Sequence, residues 1–228
     1  MFSCKKEISL DFAERTFSSE KNAIISVILP EAKGNTSAAK NINNTLTQFA
    51  CKALNIDASK EPLSIIEDSA KQFDKSYTNF KTQISNELSQ ELPIWEANVD
   101  GEITFQNKNL ISIGMNSSIN TGSPKSNLKI KFFNFNPSTG KTISLKDIIN
   151  DIDAFKKLVK KYYNKELLTG YTNVKPLTED DEFKLPKSIG FSDDGVIIFY
   201  NSYELLMPST EVIEFTIPYE TANDYLLF

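Results

Sequence analysis

The sequence predicts an α+β fold: a mainly antiparallel sheet packed with three helices, divided into two sequential, interlocked subdomains. Three observations point there. Runs of strand length, apolar at every second position, cluster at 95–136 and again at 188–218. Stretches with apolar residues spaced by threes and fours separate those clusters. No apolar run is long enough to span a membrane, and no internal repeat is visible.

The elements follow in order. Residues 7–13, EISLDFA, alternate Ile8, Leu10 and Phe12 and read as a strand; residues 23–29, AIISVIL, read as a second strand ending at Pro30. Thr36-Ser37 opens a helix whose buried side is Ile42, Leu46, Phe49, Ala50 and Ala53. A longer helix follows Ser59 and Pro62, with a narrow stripe running Ile66, Ala70, Phe73, Tyr77, Phe80, Ile84 and Leu88. Such a stripe suits a coiled-coil seam or a helix docked on a sheet, and strands on both sides favour docking.

From Leu92 the period becomes two. Strands are expected at 95–99, 103–106, 110–120 and 128–136, the first two joined by a tight Asp100-Gly101 hairpin. In LKIKFFNF the alternation slips from Leu128, Ile130, Phe132 to Phe133 and Phe135, as a β-bulge would make it. A third helix is expected over 145–168, started by a Ser144–Asp147 capping box and burying Leu145, Ile148, Ile152, Phe155, Val159 and Tyr162. Residues 170–186 read as a loop punctuated by Pro176 and Pro186. Strands at 188–192 and 195–201 meet at Ser192-Asp193-Asp194-Gly195, and a last strand covers 211–218. The division is a signal remnant and tether at 1–6, an N-terminal α+β domain at 7–136 and a C-terminal α+β domain at 137–228.

Composition excludes several classes of chemistry. The 228 residues are 40% hydrophobic and 24% charged, ordinary for a folded soluble chain. A net charge of −5 leaves no basic surplus for nucleic acid. Histidine is absent, which removes the Ser-His-Asp and Cys-His nucleophile systems and the usual zinc sites; Arg15 is the only arginine. No cofactor is expected. The stretch FNPSTGKTISL (135–145) imitates a phosphate loop, but Phe135 stands where the first glycine must curl the backbone around the anion. Asn136-Pro137-Ser138-Thr139-Gly140 has turn chemistry instead, so no nucleotide partner is expected.

Glu179-Asp180-Asp181-Glu182 lacks the spacing of a calcium loop and reads as a solvated acidic run. Asp151 and Asp153 point to different helix faces, against a shared metal with Asp147. Cys51 lies in a helical pattern as a small apolar residue, whereas Met1-Phe2-Ser3-Cys4 resembles the end of a bacterial lipoprotein signal. On that reading Cys4 carries the lipid and Lys5-Lys6-Glu7 begins a polar tether. Trp95, Tyr200, Tyr203 and Tyr219 are candidates to stack on sugar rings, against the ordinary alternative of core packing.

A family resemblance joins these pieces. IGFSDDGVIIFYNSYELLMPSTEVIEFTIPYE (189–220) resembles the end of a bacterial envelope domain of unknown function, with a hairpin leading to Tyr203-Glu204 and a final strand ending in Pro218-Tyr219. FNFNPSTGKTISLKDII (133–149) looks like that family's strand-to-helix linker, and the N-terminal half, including WEANVDGEITF, is similar to the companion domain before it. The pair resembles the extracytoplasmic region of the lysozyme-binding anti-sigma factor RsiV and the non-catalytic region of the peptidoglycan deacetylase PdaC. Where the family often carries Gly-Gly-Ala-His, this chain reads Thr121-Gly122-Ser123-Pro124.

The resemblance implies a lipid-anchored cell-envelope protein, attached to the membrane through Cys4, that binds a lysozyme-like protein or a peptidoglycan fragment; the missing histidine and the lack of catalytic spacing add the expectation that it is not an enzyme. The candidate ligand-binding residues are Trp95, Thr121, Gly122, Tyr200, Tyr203 and Glu204. The competing expectations are an enzyme acting on envelope glycan through two carboxylates, and a structural lipoprotein without a small ligand.

Overall fold

The computed structural model describes residues 10–85, 92–170, 176–178, 181–205 and 212–228. Its elements form an α+β architecture of two sheets, mainly antiparallel. The first sheet has the order β1-β2-β3-β4-β5, with β1 at Phe12–Ser19, β2 at Ile24–Ala32, β3 at Glu96–Gln106, β4 at Ile111–Asn120 and β5 at Asn127–Phe135.

β1 lies later in the chain than the expected strand at 7–13, of which residues 7–9 fall outside the described residues. It is an edge strand whose side chains mostly meet water, so apolar alternation marks it poorly. Backbone pairing with β2 sets it instead, from Phe12↔Ala32 to Ser19↔Ile25. β2 also runs through Pro30 rather than stopping there. Its pairing with β3 ends at Ile28↔Asp100, so the missing N–H of Pro30 falls beyond the β3 ladder.

β2 and β3 pair in parallel, which requires a long crossover. Helices α1 (Ser37–Leu54) and α2 (Ile66–Ser85) supply it. Thr36 caps α1 as its type suggests, its Oγ1 accepting from Ala39 N at 3.1 Å. The α2 stripe docks on the sheet: Ile66, Ala70, Phe73 and Tyr77 share one core with Ile25, Val27, Ala97 and Ile113, and each large apolar side chain so buried stabilises by about 1.5–3 kcal/mol. Leu88 lies outside the described residues.

The expected hairpin at Asp100-Gly101 does not form. Both residues sit inside β3, opposite Asn116 and Met115 of β4. Gly101 is required for closeness, since a Cβ there would collide with Met115 Sδ. The expected bulge in β5 is also absent: its register with β4 runs unbroken from Ile111↔Phe135 to Ile119↔Asn127. Phe132 and Phe133 are adjacent apolar residues because the sheet is covered on both faces there, Phe133 facing α1 and Phe132 facing the second sheet. The irregularity lies in β3, between Ile103 and Phe105.

The single helix expected over 145–168 is broken into α3 (Leu145–Ile148) and α4 (Ile152–Gly170). The C-terminal segment fills the break: Ile149 bridges Leu226, Leu227 N donates to Ile148 O, and Asn150 N donates to Tyr225 O. Asp151 then restarts the helix by accepting from Ala154 N at 2.9 Å. Ser144 makes no backbone cap; its hydroxyl donates to the Asp147 carboxylate. The restart turns Tyr163 into the second core, where Tyr162 was expected.

The second sheet has the order β6-β7-β8, with β6 at Ile189–Phe191, β7 at Gly195–Tyr200 and β8 at Ile213–Pro218. α4 packs Phe155, Val159 and Leu167 against it, and the short α5 (Tyr219–Ala222) follows β8. The two sheets meet through β4 and β5. Phe132 packs with Ile197 and Phe199, Asn134 Nδ2 donates to Ile189 O at 2.9 Å, and Phe191 N donates to Ser112 Oγ at 3.1 Å.

Candidate functional site

A cleft of about 660 Å³ opens where the two halves meet at the outer edge of β5. The last turns of α1 form one wall with Phe49, Lys52 and Ala53, and β4 and β5 form the floor with Ser117, Ile119 and Lys129. Lys187, Ser188, Asn201 and Tyr203 close it from the C-terminal half.

Asn201 builds this site. Its side-chain amide acts as one extra strand residue on β5: Oδ1 accepts from Ile130 N at 2.8 Å and Nδ2 donates to Ile130 O at 3.0 Å. Ser188 Oγ accepts from Phe132 N at 3.1 Å, extending that edge cover. Asn201 also caps the short turn Ser202–Glu204, and Glu204 reaches back to accept from Asn201 N and Nδ2 and from Lys187 N. This turn holds Tyr203 outward, 52% exposed, with Lys187 Nζ 5.0 Å from its ring centroid. Partial burial, then the Glu204 carboxylate, raises the Tyr203 pKa.

The cleft is basic. Lys52, Lys129, Lys131 and Lys187 line it, and among the described residues no Asp or Glu does. Lys129 and Lys131 share a face of β5 through the two-residue period of a strand. The Lys131 side chain is exposed overall, but its ammonium lies 4.4 Å from the Phe133 ring centroid. That withdrawal from water, followed by the charges of Lys129 and Lys52, lowers its pKa. A larger hollow of about 1020 Å³ lies between α4 and residues 177–178 and 181–183, but its lysines face Asp153, Asp181 and Glu182, so its charges offset one another.

Of the residues picked out from the sequence, Thr121 and Tyr203 line the cleft and Glu204 braces it. Trp95 lies elsewhere, 7% exposed in the first core, its ring 5.8, 5.5 and 5.2 Å from those of Phe73, Tyr77 and Phe80. Gly122 adopts φ 93° in the β4–β5 turn, beside Pro93. Tyr200 is buried with its hydroxyl on Lys184 O at 2.9 Å, and burial raises its pKa well above the tyrosine range. Tyr219 donates to Ser192 O at 2.8 Å, and burial together with Asp193 pushes it up to about 12. Cys4, Glu179 and Asp180 lie outside the described residues.

The phosphate-loop look-alike is a turn. Gly140 N donates to Asn136 O at 2.7 Å, and the Asn136 side chain accepts from Ser138 N and Thr139 N. Gly140 holds φ 65° against the backbone of Ala38, where a Cβ would overlap the carbonyl. Its role is to seat this turn on the start of α1, aided by Asn41 Nδ2 donating to Thr139 O at 2.9 Å. The lysines of the cleft went unremarked in the sequence; the pair Lys129 and Lys131, two apart on one strand, is the signal that could have found them.

Two family models match the chain. Residues 17–127 match the family model described as Deacetylase PdaC, and residues 144–220 match that of a protein of unknown function, DUF3298. The chain matches a PdaC–DUF3298 domain pair. The PdaC match takes in the α1 wall and the β4 part of the floor, the DUF3298 match takes in Lys187, Asn201 and Tyr203, and Lys129 and Lys131 lie between the two matches. A DUF3298 family member from Bacteroides fragilis shares the fold with a TM-score of 0.68 at 14% identity, over 96% of this chain and 94% of that one. A DUF3298 family protein from Pseudomonas aeruginosa gives 0.65 at 17% identity, with 96% and 94% covered. No curated protein matches the chain. Among the described residues, no helix is long and apolar enough to cross a membrane.

Proposed function

We propose that this chain is a lipid-anchored binding module of the bacterial cell envelope, and that the cleft between its halves holds a cell-wall glycan. One observation carries the reading: Tyr203, half exposed, stands at a polar cleft whose walls offer Ser117, Thr121, Asn127 and Ser188 as hydrogen-bonding partners. A ring face beside a few convergent polar groups is the chemistry that receives a sugar. The anchor at Cys4 belongs to this proposal.

A lysozyme-like protein is the weaker partner, because a basic protein would meet the lysines of the cleft with like charge. A carboxylate-dependent hydrolase is weaker too, since that chemistry needs two carboxyl groups roughly 5–9.5 Å apart across the substrate. The described lining of the cleft supplies none.

Isothermal titration calorimetry of the chain with soluble peptidoglycan fragments tests the reading. Saturable binding is expected, weakened about three- to tenfold by Tyr203→Ala, the worth of one aromatic contact of about 0.5–1.5 kcal/mol. Silence with every fragment would overturn it.

A further inference from the structure

We infer that the cleft selects acidic saccharides: a sugar ring lies against Tyr203, and the anionic group, a carboxylate or phosphate, sits among Lys52, Lys129 and Lys131. This rests on the glycan reading of the same cleft and adds the charge of its ligand.

The first ground is the placement of charge. The chain is acidic, at −5 overall, yet four lysines gather in one cleft. Among the described residues none of the four takes part in an ion pair. Lys33, Lys60, Lys71 and Lys184 do pair, with Glu31, Asp57, Asp68 and Glu182, but many other surface lysines do not, so what marks the cleft is the gathering of four ammonium groups in one place. The Glu204 carboxylate is taken up by Asn201 and Lys187 N, so the like charges of Lys52, Lys129 and Lys131 repel one another, and a bound anion reverses the sign of that interaction.

The second ground is how the cluster is fixed. Lys129 and Lys131 face Ser117 and Met115 across a β4–β5 ladder without irregularity, so their separation is set by a strand rather than a loop. Lys52 comes from the last turn of α1, packed on the same sheet. The Phe133 ring supports the Lys131 ammonium from beneath. Ammonium groups are point charges with rotatable donors, able to hold a carboxylate or a phosphate on a sugar without the fixed geometry that an arginine fork imposes. Phe49, Ala53 and Ile119 leave an apolar patch beside them, matching the methyl of an N-acyl group.

The experiment titrates the whole chain with three probes at low and high salt. They are a neutral N-acetylglucosamine trisaccharide, a tetrasaccharide alternating N-acetylglucosamine with glucuronate, and inorganic phosphate. The acidic tetrasaccharide is expected to bind at least about tenfold tighter than the neutral probe at low salt, with the gap narrowing at high salt. Lys131→Gln should abolish most of that preference while leaving neutral-probe affinity within about twofold, and Lys131→Arg should restore it. Phosphate competing with the tetrasaccharide assigns the subsite to anions generally; tetrasaccharide binding that phosphate does not displace assigns it to carboxylates. Lys129→Gln, two residues away on the same strand, should give the same loss of preference and keeps the test alive if Lys131→Gln fails to fold. Equal affinity for neutral and acidic saccharides would overturn this inference and leave the glycan reading standing. Failure of both saccharides would overturn the two together, even if phosphate bound as an adventitious ion only.

Discussion

Replacing Asn201 by Ala is expected to loosen the junction on which the cleft depends. The side chain is 3% exposed and supplies both partners of Ile130, at 2.8 and 3.0 Å, on an edge of β5 that no strand covers there. Alanine leaves one backbone N–H and one C=O without these bonds. Each orphaned group costs about 1–3 kcal/mol when dry, and water entering through the cleft recovers part, so a loss of about 2–4 kcal/mol follows. For a chain of this size that lowers the melting temperature by roughly 5–15 °C. Asn201→Asp keeps the shape but replaces the donor that faces Ile130 O and Glu204 Oε2 at 2.8 Å with a second carboxylate, and should cost more at neutral pH. Thermal unfolding followed by circular dichroism and by tryptophan fluorescence measures both. An alanine variant melting within about 1 °C of the parent would refute the claim that this amide stands in for a strand.

Gly101→Ala should destabilise by about 1–3 kcal/mol through overpacking on Met115, measured as a shift in the urea midpoint, and Met115→Ala in the same chain should relieve part of it. Asp74 accepts from Asn22 N, Asn22 Nδ2 and Ala23 N at 2.7–2.9 Å; burial pushes its pKa up, but these bonds outweigh it and the net shift is downward. Its contribution is therefore present above the unfolded pKa near 4 and lost as pH falls through the lower folded value, so Asp74→Ala should cost roughly 2–4 kcal/mol at pH 7 and progressively less in acid, read from melting curves across pH. Trp95, the sole tryptophan, should resist acrylamide quenching and keep its emission when glycan fills the cleft; quenching by the ligand would place the site in the first core instead. Ultraviolet titration should find a tyrosine, Tyr219, ionising only near about 12, and Tyr219→Phe should remove that step.

Much of this architecture was legible in residue order because local chemistry and tertiary role agree there. Thr36 caps α1, the α2 stripe faces the sheet, and Ser192-Asp193-Asp194-Gly195 turns between β6 and β7. The failures have a common cause, which is that distant partners decide what a local signal means. Asp100-Gly101 has turn chemistry, but Met115 and Pro30 crowd Gly101 from other strands and make it a close-approach residue inside β3. Phe132 and Phe133 mimic a bulge because a second sheet, built from residues more than 50 positions later, covers the far face of β5. The α3–α4 break is invisible in the helical periodicity because Tyr225, Leu226 and Leu227 fill it. The site was legible only in part: the Tyr203-Glu204 turn stood out through its family resemblance, whereas the lysines come from α1, β5 and residue 187 and converge only in the fold.

Chemical-shift mapping of the isotopically labelled chain against a soluble peptidoglycan fragment tests the central claim most directly. The account predicts saturable shifts confined to the backbone amides of Ser117, Lys129, Lys131, Ser188 and Tyr203, spanning both halves of the chain. Saturable shifts centred on α4 and residues 181–183, with those amides unmoved, would contradict it.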